Sequence, residues 1–238
     1  MQPAPGWLVL LAGHDFDLRL WERSLKPPYD PCCEWIRNGE NLMFSIRSRL
    51  FVLAQSAEEV RERAIPLIAW LYGALAVVAG AEPLNFHSVL RIDDQGGLSF
   101  SVFMEDDIKV RDAIEIAEVR DAHGNLIQPP PSEPSAAQKW VEAAEQDDDI
   151  ADMLIFAGRA DNWFDIYKAI ELAERLSGGQ HELRVLLGDT RAKFKDIRET
   201  ANFYRHARTH RPAVLADLAD AKPLLSVIVR TVLARKVG

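Results

Sequence analysis

Residues 64–81 read AIPLIAWLYGALAVVAGA, eighteen consecutive positions without a charged side chain. Just upstream, Ser56-Ala57-Glu58-Glu59 has the form of a capping box, in which Ser56 caps a helix and Glu59 reaches back to the preceding chain. The pattern predicts one long helix from there to about Ala79. Because the run is at the lower limit for a bilayer span and contains a proline, two glycines and six alanines, it favours a buried core helix over a membrane span.

Strand-like segments lie on both sides of this helix. Alternating or short apolar runs occur at 7–12, 41–53, 84–92, 98–104 and 108–119. Asn38-Gly39 and the glycine-containing stretch 93–97 are typical hairpin turns. The first 130 residues therefore predict a mixed α/β domain with antiparallel strands, whose role the sequence does not indicate.

The stretch 128–135, QPPPSEPS, is incompatible with a regular helix or strand and predicts a linker of polyproline character. Beyond it the patterns are helical: Ser135 is expected to cap a helix over 136–146, and Asp161 a helix over 162–176. Further helices are predicted over 191–210 and 219–236. The chain is therefore predicted to be α+β, with an α/β domain at 1–130 and an all-α bundle of four or five helices at 131–238.

The composition is that of an ordinary globular protein, with 48% hydrophobic and 27% charged residues in a chain of 238. Its two cysteines, Cys32 and Cys33, are adjacent, which disfavours a disulfide and favours a reducing compartment. The N-terminal apolar run is short and lacks a basic segment before it, so a cytoplasmic protein without a membrane partner is expected. Serine-hydrolase, P-loop and dinucleotide-binding motifs are absent from the sequence.

Charge is segregated along the chain. The net charge is −8, but residues 189–238 carry eleven Lys or Arg against five Asp or Glu, a net +6, and residues 1–188 carry −14. Within that basic region, residues 191–211 (RAKFKDIRETANFYRHARTHR) hold seven cations and two acids. A patch that opposes the sign of the whole molecule favours a polyanion such as RNA, or an acidic protein, as partner.

A helix over 191–210 places most of these cations on one face. That face carries Arg191, Lys195, Arg198, Asn202, Arg205, His206 and Thr209, and the opposite face carries Ile197, Thr200, Phe203, Tyr204 and Ala207. Cationic and amide side chains bind phosphate oxygens, and an imidazole exchanges protons near neutral pH. These are the groups that metal-independent RNA cleavage needs.

The segment Arg205-His206-Ala207-Arg208-Thr209-His210 resembles the Rx4-6H motif of HEPN-type ribonuclease domains over residues 132–238. Those domains are small helical bundles, often homodimeric, that cut RNA without metal or cofactor in toxin or antiviral systems. The resemblance implies that Arg205 is the phosphate-stabilising cation, His206 the polar second residue and His210 the catalytic imidazole. The predicted nucleic-acid-binding residues are Arg191, Lys195, Arg198, Asn202 and Arg208.

Other interpretations remain open. The chain could be a non-enzymatic interaction module whose basic helix docks on an acidic partner or on its own acidic half. His206 and His210, at i and i+4, have the spacing of metal ligands but lack a third ligand nearby. Asp94, Asp107 and Lys109 are faintly similar to the acidic site of magnesium-dependent nucleases, although acids at strand ends are usually solvated.

Overall fold

The computed structural model describes residues 4–103, 131–206 and 211–237, which form two compact units. The first unit contains the described residues of 1–68 and 81–138, and the second contains those of 69–80 and 139–238. The strands are β1 (Gly6–Ala12), β2 (Cys32–Asn38), β3 (Asn41–Arg47), β4 (Asn85–Ile92) and β5 (Leu98–Val102). The α-helices are α1 (Asp15–Ser24), α2 (Ala57–Ala79), α3 (Ala136–Ala144), α4 (Asp148–Gly158), α5 (Trp163–Ser177), α6 (Gln180–Leu187), α7 (Arg191–Arg205) and α8 (Leu218–Val237). The α+β class predicted from the sequence is confirmed.

A five-stranded antiparallel sheet of order β2-β3-β1-β4-β5 forms the centre of the first unit. One of its faces buries an apolar cluster made of Leu8, Leu10, Ile36, Leu90 and Ile92. Alternate residues such as Val9, Ile46 and Val89 are also fully buried. Both faces of the central strands are therefore covered. The predicted hairpin at Asn38-Gly39 joins β2 to β3, with Gly39 at φ +60°.

Two elements of the first unit are absent from the sequence prediction. The region between β1 and β3 contains the helix α1 and the strand β2, where only turns were expected. His14 caps α1 by accepting a hydrogen bond from the Phe16 amide at 3.3 Å, and histidine is not among the preferred caps. The strand predicted over 41–53 ends at Arg47, because Ser48 caps a 3-10 turn at Arg49–Phe51. The strand predicted over 108–119 lies outside the described residues.

The long helix α2 confirms the predicted start and end. Ser56 Oγ accepts a hydrogen bond from the Glu59 amide at 3.3 Å, and Glu59 Oε2 accepts one from the Gln55 amide at 3.0 Å. A buried stripe at helical spacing is formed by Val60, Ala64, Leu67, Leu71, Ala74 and Leu75, each at 0% exposure. Among the described residues α2 is the one helix with the length and hydropathy of a bilayer span. The stripe residues belong to the buried cores of the described units.

Every element described after residue 130 is helical, with one 3-10 turn at Gly188–Thr190 and six α-helices instead of the four or five expected. The structure adds α4 and α6. Asn162, and not Asp161, caps α5: its Oδ1 accepts from the Asp165 amide at 3.0 Å. Asp161 instead pairs with Lys222 of α8. α5 ends at Ser177, where Gly178 at φ +94° and Gly179 donate backbone hydrogen bonds to the last carbonyls of the helix.

Within the second unit, the C-terminal part of α2 crosses α4 at two glycines. A Cβ built on Gly73 would lie 1.9 Å from the Leu154 carbonyl oxygen, and one built on Gly158 would lie 3.1 Å from the Gly73 Cα. The end of α2 is capped by Arg230 of α8, which donates to the Val77 and Val78 carbonyl oxygens at 2.5–3.1 Å. The close glycine contacts with α4 and the hydrogen bonds from Arg230 of α8 thus hold the C-terminal part of α2 in place within this unit.

Candidate nucleic-acid interface

The basic helix α7 spans Arg191–Arg205, with His206 at its C-cap. Its buried residues are Phe194, Ile197, Thr200 and Ala201. Ile197 and Thr200 were expected to be buried, whereas Tyr204 is 40% exposed and Phe203 is half-buried. The packed face is thus rotated towards Phe194 relative to the prediction, which places Arg198 and Arg205 at its border. The predicted segment 207–210 lies outside the described residues.

α5 supplies the side chains that meet this border. Trp163, Tyr167, Glu171 and Glu174 recur at i, i+4, i+8 and i+11, so they share one face of α5. The contacts run in antiparallel order: the end of α7 meets the beginning of α5, and the middle of α7 meets the end of α5. The α5–α7 seam, defined by these contacts, is the framework of the candidate interface.

Arg198 is fully engaged at this seam. Its Nε donates to Glu174 Oε1 at 2.5 Å and its second terminal nitrogen donates to Glu174 Oε2 at 3.3 Å, which is a bidentate pair. The side chains of Arg198 and Glu174 are only 28% and 15% exposed. Arg198 therefore contributes to α5–α7 packing, and its charge is neutralised within the molecule.

Arg205 is held more loosely than Arg198. Its guanidinium carbon lies 4.2 Å from the centre of the Tyr167 ring, in cation–π geometry. Its terminal nitrogen is 3.9 Å from Glu171 Oε1, which is longer than a hydrogen bond. Glu171 receives its hydrogen bond from Lys168 Nζ, at 2.8 Å. The Tyr167 ring thus orients the Arg205 guanidinium, while its N–H groups stay available to an incoming acceptor.

The carboxyl group of Glu171 is surrounded by cations. The hydrogen bond from Lys168 is the largest effect, and with the smaller effects of the Lys168, Arg205 and Arg175 charges it lowers the pKa of Glu171 below its usual value, against a rise caused by burial. The carboxylate is therefore ionised at neutral pH. The local charges of the seam alternate in sign, with Arg205 between Glu171 and the solvent-exposed end of α7.

A pH dependence of stability follows from this lowered pKa. Since the folded-state pKa lies below the unfolded one, ionised Glu171 stabilises the fold above its ordinary pKa, and this contribution is lost as pH falls through the folded-state value. We expect Glu171→Gln to cost up to about 1 kcal/mol near pH 7, because the group is partly solvated, and less in acid, as the pH falls through the folded-state pKa. Urea unfolding at neutral and at acid pH measures this, with exposed Glu182→Gln as control. An equal cost at both pH values would contradict the prediction.

Aromatic side chains extend the interface beyond Arg205. The Tyr204 ring stacks on Trp163 with a centroid distance of 5.8 Å and an interplanar angle of 4°, and Phe203 meets Tyr204 edge-on at 5.3 Å. Because Tyr204 is 40% exposed, this stack reaches the surface. The sequence prediction assigned Tyr204 to the packed face and missed its place beside the cations. The i, i+4 spacing of Trp163 and Tyr167 was the one signal that could have indicated it.

The remaining predicted site residues are distributed along the exposed side of α7. Arg191, Lys195, Asn202 and His206 are exposed, and Lys195 is 3.8 Å from Glu199 on its own helix. Asn202 is one turn before Arg205 and His206. Arg208 and His210 lie outside the described residues. The structure thus brings Asn202, Arg205 and His206 together at the end of α7 and directs Arg198 away to Glu174.

Other predicted chemistry has little geometric support. The part of the chain that the structure describes contains no group of three His, Cys, Asp or Glu side chains that could hold a metal ion. Asp94 lies in the β4–β5 turn, and Asp107 and Lys109 lie outside the described residues.

Burial, followed by the charge of Glu34, raises the pKa of Cys32 to about 11, and burial raises that of Cys33 well above its usual value. Both cysteines are therefore protonated at neutral pH and poor nucleophiles.

Comparison of the chain with protein-family models, with curated proteins and with solved structures gives no match to any of them. Function therefore has to be inferred from the residues themselves.

Proposed function

We propose that the second unit is an RNA-directed module, similar to HEPN domains, that acts as a metal-independent ribonuclease or RNA binder through the exposed end of α7. The observation that carries this proposal is the state of Arg205. Its guanidinium is oriented by Tyr167, but no carboxylate of the described residues lies within hydrogen-bond distance of it. An oriented cation with free N–H donors is suited to a phosphate group.

The surroundings of Arg205 favour RNA over a simple anion. Asn202, one helical turn earlier, is exposed and offers an amide to phosphate or sugar oxygens. The Trp163–Tyr204 stack presents an aromatic surface beside the cation. A cation that binds the backbone next to an aromatic group that stacks on bases is the usual arrangement in proteins that bind single-stranded RNA.

The catalytic part of the proposal rests on the Rx4-6H motif. Arg205 would stabilise the negative charge that develops on the phosphoryl group, and His210, as predicted from the motif, would move the proton. His206 is exposed at the C-cap of α7, where it is the polar second residue of the motif. These roles need two side chains and no metal ion.

The binding part is tested with a fluorescent single-stranded RNA of mixed sequence, titrated with the full chain at several salt concentrations. We expect Arg205→Ala to weaken binding about tenfold at low salt and to reduce the slope of log affinity against log salt by about 0.7, the loss of one phosphate contact. Arg37→Ala removes the same charge from an exposed position on β2 and is the matched control. Equal effects of the two substitutions would contradict a specific role for Arg205.

The cleavage part is tested with the same RNA in the presence of a metal chelator. The unmodified chain is expected to cut it, and the double substitution of Arg205 and His210 by alanine is expected to abolish cutting while the helical circular dichroism is unchanged. Cleavage that persists in the double variant would remove the catalytic assignment and leave RNA binding to be judged by the titration.

A second candidate function is supported by the bidentate Arg198–Glu174 pair. Because the seam neutralises Arg198 internally, the cations that remain exposed on α7 could instead dock on an acidic protein, without any reaction. In such a non-enzymatic interaction module the exposed cations would still bind RNA weakly at low salt, so Arg205→Ala would weaken binding no more than the Arg37→Ala control does. The titration described above therefore separates the two functions.

A further inference from the structure

A second cationic site lies in the second unit, at the C-terminal ends of α5 and α8. A cavity of about 350 Å³ is lined there by Arg175, Leu176, Ser177, Gly178, Leu186, Val232, Arg235 and Lys236. Three of these side chains carry positive charge and none carries negative charge. None of them belongs to α7, so the cavity is separate from the candidate RNA interface.

The positive charge of this cavity is only partly neutralised by the protein. Arg175 donates to Asp149 Oδ1 at 2.6 Å, with its own side chain 61% exposed. Arg235 and Lys236 are exposed and make no ion pair or hydrogen bond with the described residues. Cations that share a small cavity repel one another, and a bound anion relieves that repulsion.

Cations near helix C-termini often serve only to offset the helix dipole. At α5 that need is reduced, because backbone amides already cap its last carbonyls: Gly178 N donates to the Arg175 carbonyl at 3.1 Å and Gly179 N to the Glu174 carbonyl at 2.8 Å. Arg175 is therefore not needed as a cap of α5, and the two exposed cations Arg235 and Lys236 lie in the last turn of α8.

Ser177 supplies an independent indication of a missing partner. Its Oγ is shielded from solvent and has no hydrogen-bond partner among the described residues. Buried hydroxyl groups are normally hydrogen-bonded, so an unpartnered one in a cavity wall is unusual. A ligand oxygen in the cavity would complete it once the Ser177 side chain rotates to bring Oγ to the cavity surface.

We propose that this cavity binds a small phosphate-bearing molecule of nucleotide size. Arg235, Lys236 and Arg175 would hold the phosphate, and the apolar wall of Leu176, Leu186 and Val232 would contact the remainder of the molecule. The volume is within the range of small-molecule sites, and a mixture of an apolar wall with a few convergent polar groups is typical of them. The proposal does not depend on RNA binding by α7.

The test is isothermal titration calorimetry of the full chain with adenosine 5′-monophosphate, inorganic phosphate and adenosine at low salt. We expect the monophosphate to bind more tightly than either fragment, because only it uses both the cations and the apolar wall. The double variant Arg235→Gln/Lys236→Gln is expected to weaken binding at least about tenfold. The matched control, Arg37→Gln/Arg91→Gln, removes two exposed charges from the sheet of the first unit and is expected to change it less than about twofold.

A second variant, Ser177→Ala, tests monophosphate binding without changing the net charge of the protein. Ser177→Ala is expected to weaken monophosphate binding several-fold without lowering the melting temperature, since its hydroxyl has no protein partner to lose. Absence of monophosphate binding at millimolar concentration, equal losses in the two charge-pair variants, or tighter binding of inorganic phosphate than of the nucleotide would overturn the proposal.

Discussion

Replacing Gly73 with alanine is expected to destabilise the chain by more than about 3 kcal/mol, although helix propensity alone predicts a gain of about 1 kcal/mol at this position. Gly73 is inside α2, and a Cβ there would lie 1.9 Å from the carbonyl oxygen of Leu154 and 2.5 Å from its carbonyl carbon. Both are backbone atoms, so no side-chain rotation relieves the overlap. α2 and α4 have to separate, and the tight packing around the crossing is lost.

Urea unfolding followed by circular dichroism measures this effect, with Gly39→Ala as the control. Gly39 has φ +60° in the β2–β3 turn and no atom within 4 Å of a built Cβ, so its substitution costs only the backbone strain of about 1 kcal/mol. Gly158→Ala, with contacts of 3.0–3.2 Å to Tyr72 and Gly73, should be intermediate between them. A Gly73→Ala variant as stable as the unmodified chain would show that α2 and α4 do not cross this closely.

The start and end of α2 could be predicted from the sequence, whereas its crossing with α4 could not. The Ser56–Glu59 capping box and the uncharged run are local signals, and the cap and the helix that they predict are both present. The role of Gly73 depends on a residue eighty-one positions later, Leu154, whose place along α2 is set by tertiary packing. A glycine in an apolar helix gives no sign in the sequence of which backbone approaches it.

Two helices, α4 and α6, were missed because the sequence signals for their starts are short or coincide with signals for a neighbouring element. α6 has eight residues and follows Gly178-Gly179 directly, so the glycine pair marks the end of α5 and hides the start of the next helix. Asp147, the first of three consecutive aspartates, caps α4 through hydrogen bonds from the Asp149 and Ile150 amides. A run of three aspartates has several possible caps, which the sequence alone does not rank.

The candidate interface was predicted in part. The start of α7 and the exposure of Arg191, Lys195 and Asn202 follow from helical periodicity, whereas α7 ends at Arg205 and not near the predicted residue 210. The difference between Arg198 and Arg205 does not, because it is set by the position of Glu174 and Glu171 on α5. Which carboxylate meets which guanidinium depends on the register of two helices. Charge patterning within one helix carries no information about that register.

Replacing Gln138 with methionine is expected to cost about 3 kcal/mol in the first unit, the second large effect on stability. Gln138 is 2% exposed, and its amide nitrogen donates to three carbonyl oxygens, those of Lys26, Tyr29 and Pro31, at 2.9–3.2 Å. Its Oε1 accepts from the Ser135 amide at 2.9 Å, while Ser135 Oγ accepts from the Gln138 amide at 3.2 Å. Methionine has a similar length but leaves these backbone groups without their partners.

Two further variants separate lost hydrogen bonds from lost volume. Gln146→Met, at an exposed position just after α3, makes the same chemical change and is expected to alter the free energy of unfolding by less than about 0.5 kcal/mol. Gln138→Glu keeps the shape but turns carboxylate oxygens towards the three carbonyls, so it should be at least as destabilising as methionine at pH 7. Its cost should fall in acid, where a protonated carboxyl regains one donor. If Gln138→Met unfolds at the same urea concentration as Gln146→Met, the amide does not hold the 26–31 loop, and the helix α1 and strand β2 on either side of that loop must be positioned by apolar packing alone.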